Sequence, residues 1–127
     1  MKREIDIAVD YLKESKYTAA FTGAGISVES GIPPFRGADG IWSKYDPELL
    51  VLDRFYARPK ESWTVIKEIF FDYFGEAQPN KAHKVLAQME QKNLLKCVIT
   101  QNIDNLHQKA GNKEVYEFHG NSHSLLC

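Results

Sequence analysis

Apolar residues recur along this chain with two different periods. Over residues 3–15, Ile5, Ala8, Val9 and Leu12 repeat at the spacing of an amphipathic helix. "YTAAFTG" at 17–23 is short, apolar and closed by glycine, which predicts a buried strand. Residues 26–30 allow one helical turn before Gly31 and the Pro33–Pro34 pair stop it. Residues 37–60 show no period and read as a loop. From 61 to 75 the spacing predicts a helix with Trp63, Ile66, Phe70 and Tyr73 on one stripe. Ile69 and Phe74 lie beside that stripe, and Gly75 ends it. Asn80 is a good N-cap for a helix whose apolar face is Ala82, Val85, Leu86 and Met89. "LLKCVIT" at 94–100 predicts a second buried strand. Residues 101–111 predict a polar turn into a short helix ending at Gly111, and "EVYEF" at 114–118 a third strand.

Strands that alternate with helices predict an α/β fold with a parallel sheet. In such folds ligands sit outside the carboxyl ends of the strands. The three stretches richest in reactive groups, 23–36, 101–104 and 119, each follow a predicted strand. That shared position predicts a single site.

Composition narrows the classes. The chain has 127 residues, 43% of them hydrophobic and 26% charged, enough for one globular domain's core at most. The formal net charge of -1 supplies no basic excess for nucleic acid or an anionic membrane. "MKREIDIAVDYLKESK" lacks the apolar stretch of a signal peptide, and no apolar run approaches the ~18 residues of a membrane span. Two cysteines, Cys97 and Cys127, form no disulfide framework, so a reducing, cytoplasmic setting is expected. The apolar last residues, "HSLLC", read as an interrupted chain.

Gly23 and Gly25 flank Ala24 at a strand-to-helix turn, where bare backbone N–H groups can approach a phosphate. "TGAGIS" thus suits a pyrophosphate, although Val28 stands where a G-x-G-x-x-G pattern would have its last glycine. A plain turn has the same composition. Pro33 and Pro34 restrict the backbone that presents Phe35 and Arg36; alternatively Phe35 is core and Arg36 a solvated charge. Gln101, Asn102 and Asp104 can bond ribose hydroxyls and amides, or Asn102 and Asp104 can simply start the next helix. His119 suits a general base or a structural role. His83 and His107 lie in predicted helices and read as ordinary. A metal site of His119, His123 and Cys127 at helical spacing is disfavoured by Gly120–Asn121, a poor helix interior, and by the want of a fourth ligand.

The stretches "GAGISVESGIPPFRG", "TQNIDNLH", "AG" and "EFHG", in this order and spacing, resemble the sirtuins, the NAD-dependent protein-lysine deacylases. The resemblance runs from about residue 5 to residue 127. It implies that 23–37 is a cofactor-binding loop in which Gly23, Ala24, Gly25, Ile26, Ser27, Ile32, Pro33, Phe35 and Arg36 bind NAD, the glycines holding its pyrophosphate. Phe35 and Arg36 would order the nicotinamide ribose region. Gln101, Asn102, Ile103 and Asp104 would hold nicotinamide and its ribose, and His119 would be the catalytic base. The implied reaction consumes NAD and transfers no hydride. The acetyl-lysine oxygen attacks C1′ of the nicotinamide ribose, and nicotinamide leaves an alkylamidate behind. His119 then takes a proton from the ribose hydroxyls so that the 2′ oxygen can attack. The products would be lysine, nicotinamide and O-acetyl-ADP-ribose.

The resemblance also implies limits. Cys127 looks like the first of four zinc cysteines, and the other three are absent. The expected fold is therefore the first part of a doubly wound, Rossmann-like parallel sheet with a helical insertion. The second half of the sheet and the zinc module would be missing. Residues 1–33 and 79–120 would be the Rossmann-like portion, 34–78 the cofactor loop and helical small domain, and 121–127 the start of the zinc module. The expected partner is acetylated lysine of a protein, with no nucleic acid and no membrane. None of the six tyrosines has Arg three residues later, a pair found in sirtuins that prefer acidic acyl groups, so an uncharged acyl group is expected. Two further readings remain: an inactive NAD- or partner-binding module, and an ADP-ribosyltransferase.

Overall fold

The structure, a computed structural model, describes residues 2–72 and 74–124. Three strands, β1 (Ala19–Thr22), β2 (Cys97–Thr100) and β3 (Val115–Glu117), form one sheet in the order β1-β2-β3. Both pairings are parallel, with Thr22 opposite Thr100 and Thr100 opposite Glu117. All three strands therefore point their carboxyl ends the same way.

Among the described residues five α-helices connect or flank them: α1 (Lys2–Glu14), α2 (Leu52–Ala57), α3 (Pro59–Ile66), α4 (Lys81–Gln91) and α5 (Leu106–Ala110). Asn80 caps α4 as expected. Its side chain accepts from the N–H groups of Ala82 and His83, and its own N–H donates to His83 Nδ1. Helix α5 ends at Gly111, whose φ of 110° is a left-handed conformation that a side chain would strain.

Three expectations need correction. Residues 37–60 are not a loop throughout: short 3-10 turns at 41–43 and 47–50 and the helix α2 lie within them. These pieces are too short to print a helical period. Asp46 starts the second turn by accepting from Glu48 N–H ahead of Pro47. Second, the helix expected over 61–75 begins at Pro59 and changes at Ile66 into a π turn over Lys67–Asp72. The wider turn resets the register. Ile69 is fully buried and Phe74 nearly so, whereas Trp63, placed on the buried stripe by spacing, is 46% exposed. Tyr73 lies outside the described residues. Third, the amphipathic stripe of α1 and the outer row of the sheet are not buried. Ile5, Leu12, Phe21 and Tyr116 are exposed. Phe21, Ile99 and Tyr116 stand in register across the sheet, so this row marks one face that nothing in the described chain covers.

The core lies between the turn after β1 and the helical insertion. Ile32, Phe74, Ala77 and Leu106 form one buried cluster, flanked by Phe70 and Ile103. This cluster ties the opening loop, the insertion and α5 together, and so fixes the geometry above the carboxyl ends of β1 and β2.

Candidate functional site: a cleft at the carboxyl ends of β1 and β2

Directly after β1 the chain turns through Gly23 into a 3-10 helix at Ala24–Ser30, closed by Gly31 in the left-handed region (φ 87°). Gly23 itself is extended, and a Cβ added at Gly23 or Gly25 would meet nothing within 4 Å. Neither backbone conformation nor internal packing therefore requires glycine at these two places. What their lack of side chains leaves is bare peptide open to an incoming group.

That open backbone borders a cleft of about 430 Å³ lined by Ala24, Pro34, Phe35, Arg36, Trp42 and Gln101. Pockets of this order hold small ligands. The lining carries one cation and no carboxylate. Phe35 and Trp42 stack with centroids 5.4 Å apart and planes tilted by 32°. Trp42 is held by its own N–H donating to Phe35 O, and the neighbouring Ile41 N–H donates to Pro34 O. A cationic guanidinium, an aromatic pair and free peptide suit an anionic ligand that carries a flat ring. Trp42 was missed in the sequence because it sits in an aperiodic stretch.

Beneath the cleft lies a buried polar layer. Ser27 Oγ donates to Asp104 Oδ2 at 2.7 Å, and Leu106 N–H donates to Asp104 Oδ1 at 3.0 Å. Asp104 thus helps start α5 and also grips the opening loop. Asn102 Nδ2 donates to Gly23 O (3.1 Å) and Ser27 Oγ (3.2 Å), while its N–H donates to Thr100 Oγ1 (3.0 Å). Asn80 Nδ2 donates to Ile26 O at 2.6 Å. Ser27, Asn102 and Asp104 are all buried. Each is on average a costly group to bury unless paired, and each is paired.

His83 and His107 are not the ordinary helix residues expected of them. Both are fully buried and stack edge-to-face with centroids 4.9 Å apart. Burial lowers the His83 pKa, against the pull of Asp104. Burial, and then the neighbouring His83, lower His107 to about 4, again opposed by Asp104. The sequence signal available was position: His83 lies three residues after an N-cap, and His107 is on the same short helix as Leu106.

The remaining candidates fall elsewhere. Ile32 is core and Pro33 half-buried. Ile103 lines a second, larger cavity of about 700 Å³ with Trp63, Ile66, Phe70, Phe71 and the chain at 121–124. His119 is exposed and lines neither cavity, so the structure does not bring it together with Phe35, Arg36 and Gln101. Cys127 lies outside the described residues. Among the described residues no three His, Cys, Asp or Glu side chains are grouped to hold a metal ion. The zinc implied by resemblance is therefore not matched by the donors described, and no chemistry is routed through it.

A glycine turn, a carboxyl-end cleft and a parallel sheet are the layout of an α/β protein with a ligand site at its strand ends. Comparison with known proteins takes this further. Residues 23–127 match the model of the Sir2 family. The chain is 50% identical over 119 residues to an NAD-dependent protein deacetylase of Thermotoga maritima, covering 94% of this chain and 48% of that protein. It is 53% identical to the one from Saccharolobus solfataricus, covering 91% and 48%. Among solved structures, a complex of Sir2, a p53 peptide and NAD+ superposes with a TM-score of 0.82 at 47% identity, covering 92% of this chain and 46% of that one. The chain belongs to the Sir2 family. It spans about half the length of the curated relatives it matches.

Proposed function

We propose that the protein of which this chain is part deacetylates acetyl-lysine in proteins with consumption of NAD, yielding nicotinamide and O-acetyl-ADP-ribose. The observation that carries this is the cleft: Ala24, Phe35, Arg36 and Gln101, drawn from two separate segments, line it beside the open backbone of Gly23 and Gly25. NAD supplies the electrophilic ribose carbon when bound. The chain's residues bind and orient. Gly23, Ala24, Gly25, Ile26 and Ser27 offer backbone to the pyrophosphate, Arg36 offers charge, and Phe35 packs on the nicotinamide ribose side with Ile32 and Pro33 behind it. Gln101 forms the opposite wall, backed by the buried Asn102 and Asp104, with Ile103 on the neighbouring cavity. His119 is the base that takes a ribose hydroxyl proton.

Residues 1–33 and 79–120 form the nucleotide-binding portion in this reading, 34–78 the cofactor loop and helical portion, and 121–127 the start of a zinc module. The few cysteines favour a cytoplasmic setting. The larger cavity supports an uncharged acyl group, because its walls are mainly Trp63, Ile66, Phe70, Phe71 and Ile103. Its one cation, Lys67, already donates to both Asp72 oxygens at 3.1 and 3.2 Å. A second reading, that this chain alone binds the dinucleotide without turnover, is favoured by His119 not lining either cavity.

The test is titration of the chain with ADP-ribose, followed by amide shifts, and nicotinamide release with an acetyl-lysine peptide. Shifts at Ala24, Arg36 and Gln101 support the reading, as does release that His119→Ala reduces by about 10²–10⁴. Binding with shifts confined to residues outside 23–36 and 101–104 overturns it.

A further inference from the structure

The last residues of β1 and β2 are both threonines, and they face each other in register. Thr22 Oγ1 donates to Thr100 Oγ1 at 2.9 Å, and His107 Nε2 lies 2.8 Å from Thr22 Oγ1. Where Thr22 gives its one proton to Thr100, His107 Nε2 carries a hydrogen and donates to Thr22; the reverse order, Thr100 to Thr22 to His107 Nε2, fits the same distances and needs the other tautomer. Thr100 Oγ1 also accepts the N–H of Asn102. The chain of bonds runs from His107 to Thr22 to Thr100, where it meets the Asn102 peptide.

The other nitrogens agree with this assignment. His83 Nδ1 accepts the N–H of Asn80, so its proton sits on Nε2. Among the described residues, the two buried ring atoms left without a hydrogen-bond partner are His83 Nε2 and His107 Nδ1. With both rings as Nε2–H tautomers, one of these atoms is a donor and the other a lone pair. The opposite tautomer of His107 would put two N–H groups into the same stacked pair, with no acceptor for either. The nearby carboxylate of Asp104 is already engaged by Ser27 and Leu106, and among the described residues no charged side chain is shown hydrogen-bonded to either ring.

We propose that His107 is a positioning residue: as a neutral Nε2–H donor it sets the Thr22–Thr100 hydroxyl pair, which holds the Asn102 peptide and thereby the carboxamide clasping Gly23 and Ser27. It touches no ligand itself. The proposal deepens the NAD-site reading, on which its functional meaning rests, and adds a residue behind the wall of the cleft. Loss of the chain of bonds would loosen Asn102 while leaving the strands paired.

The experiment reads this without ligand first. Imidazole 15N spectra of the chain at neutral pH should show His107 as the Nε2–H tautomer; an Nδ1–H tautomer overturns the proposal. Amide hydrogen exchange should then be compared for Asn102 and for Val98 in the middle of β2. Thr22→Val and His107→Leu should each speed Asn102 exchange about tenfold with Val98 unchanged, the effect of losing one buried bond. His107→Gln, which keeps an N–H at a similar reach, should restore much of the protection. If His107→Leu fails to fold, Thr22→Val decides alone. Unchanged Asn102 exchange in Thr22→Val overturns the proposal. ADP-ribose titration of the same variants separates the two levels. Wild type that never binds sinks the NAD-site reading and leaves the exchange result to judge the bond chain. Weakened binding in Thr22→Val, recovered in Thr22→Ser, supports both.

Discussion

Acid should destabilise this chain in a specific window, because two neutral imidazoles are stacked in its interior. His107 is held at about 4 in the folded chain against an ordinary 6.5. Above pH 6.5 the folded and unfolded chains are both neutral at this ring, so its contribution to stability is fully present. Below it the unfolded chain takes up a proton that the folded chain refuses. Stability is then lost with falling pH, until the folded ring also titrates near 4. One pKa unit corresponds to about 1.4 kcal/mol, so His107 alone removes about 3 kcal/mol across the window. His83, shifted the same way, adds to it. That is a large share of the 5–15 kcal/mol typical of a whole domain. Urea unfolding at unit steps from about pH 7 to about pH 4, followed by circular dichroism, measures the slope. The His107→Gln chain, which has no proton to gain there, should show a shallower fall. Equal slopes for the two chains, or a wild-type midpoint that stays constant from pH 6.5 to 5, would refute the argument.

Other outcomes can be stated more briefly. Arg36→Ala should weaken ADP-ribose binding about tenfold or more, the scale of one hydrogen bond to a charged group, with the melting temperature unchanged; calorimetry checks both. Leu106→Ala empties a fully buried position in the cluster with Ile32 and Phe74 and should cost about 2–5 kcal/mol in denaturant unfolding. Asn80→Ala removes the cap of α4 and the bond to Ile26 O, and should cost about 1–2 kcal/mol. Glu61→Gln, which breaks exposed pairs with Arg54 and Arg58, should change stability by less than about 1 kcal/mol. With the uncovered row of Phe21 and Tyr116, the chain by itself should associate at high concentration; a monomer with a cooperative melt at high temperature would contradict that.

The strands, α4 and its cap, and the turn after β1 were legible because each carries its own local signal: an apolar run, Asn80, or paired glycines. The resemblance to sirtuins rested on four stretches; Ala24, Phe35, Arg36 and Gln101, which lie in two of them, line one cleft. Other features depend on tertiary context. The π turn at 67–72 has no signature in spacing, and it moved Ile69 into the core and Trp63 toward solvent. Exposure of α1 follows from what lies around it, which no periodicity records. His83 and His107 looked unremarkable in sequence because the properties that matter, the stacking of the two rings and the bond of His107 to Thr22, join residues far apart in the chain.

That distance has a consequence for how the site comes into being. The bonds that define it join Thr22 to Thr100, Gly23 to Asn102 and Ser27 to Asp104, across 78, 79 and 77 residues. Closing such loops costs entropy before any contact repays it, which slows folding. During synthesis the glycine turn emerges early and must wait, unpaired, for the segment at 100–104 to follow it. The cleft is therefore a late product of folding. A ligand that bridges its two walls would act as a kinetic clamp on the whole chain, lengthening its lifetime against unfolding and proteolysis.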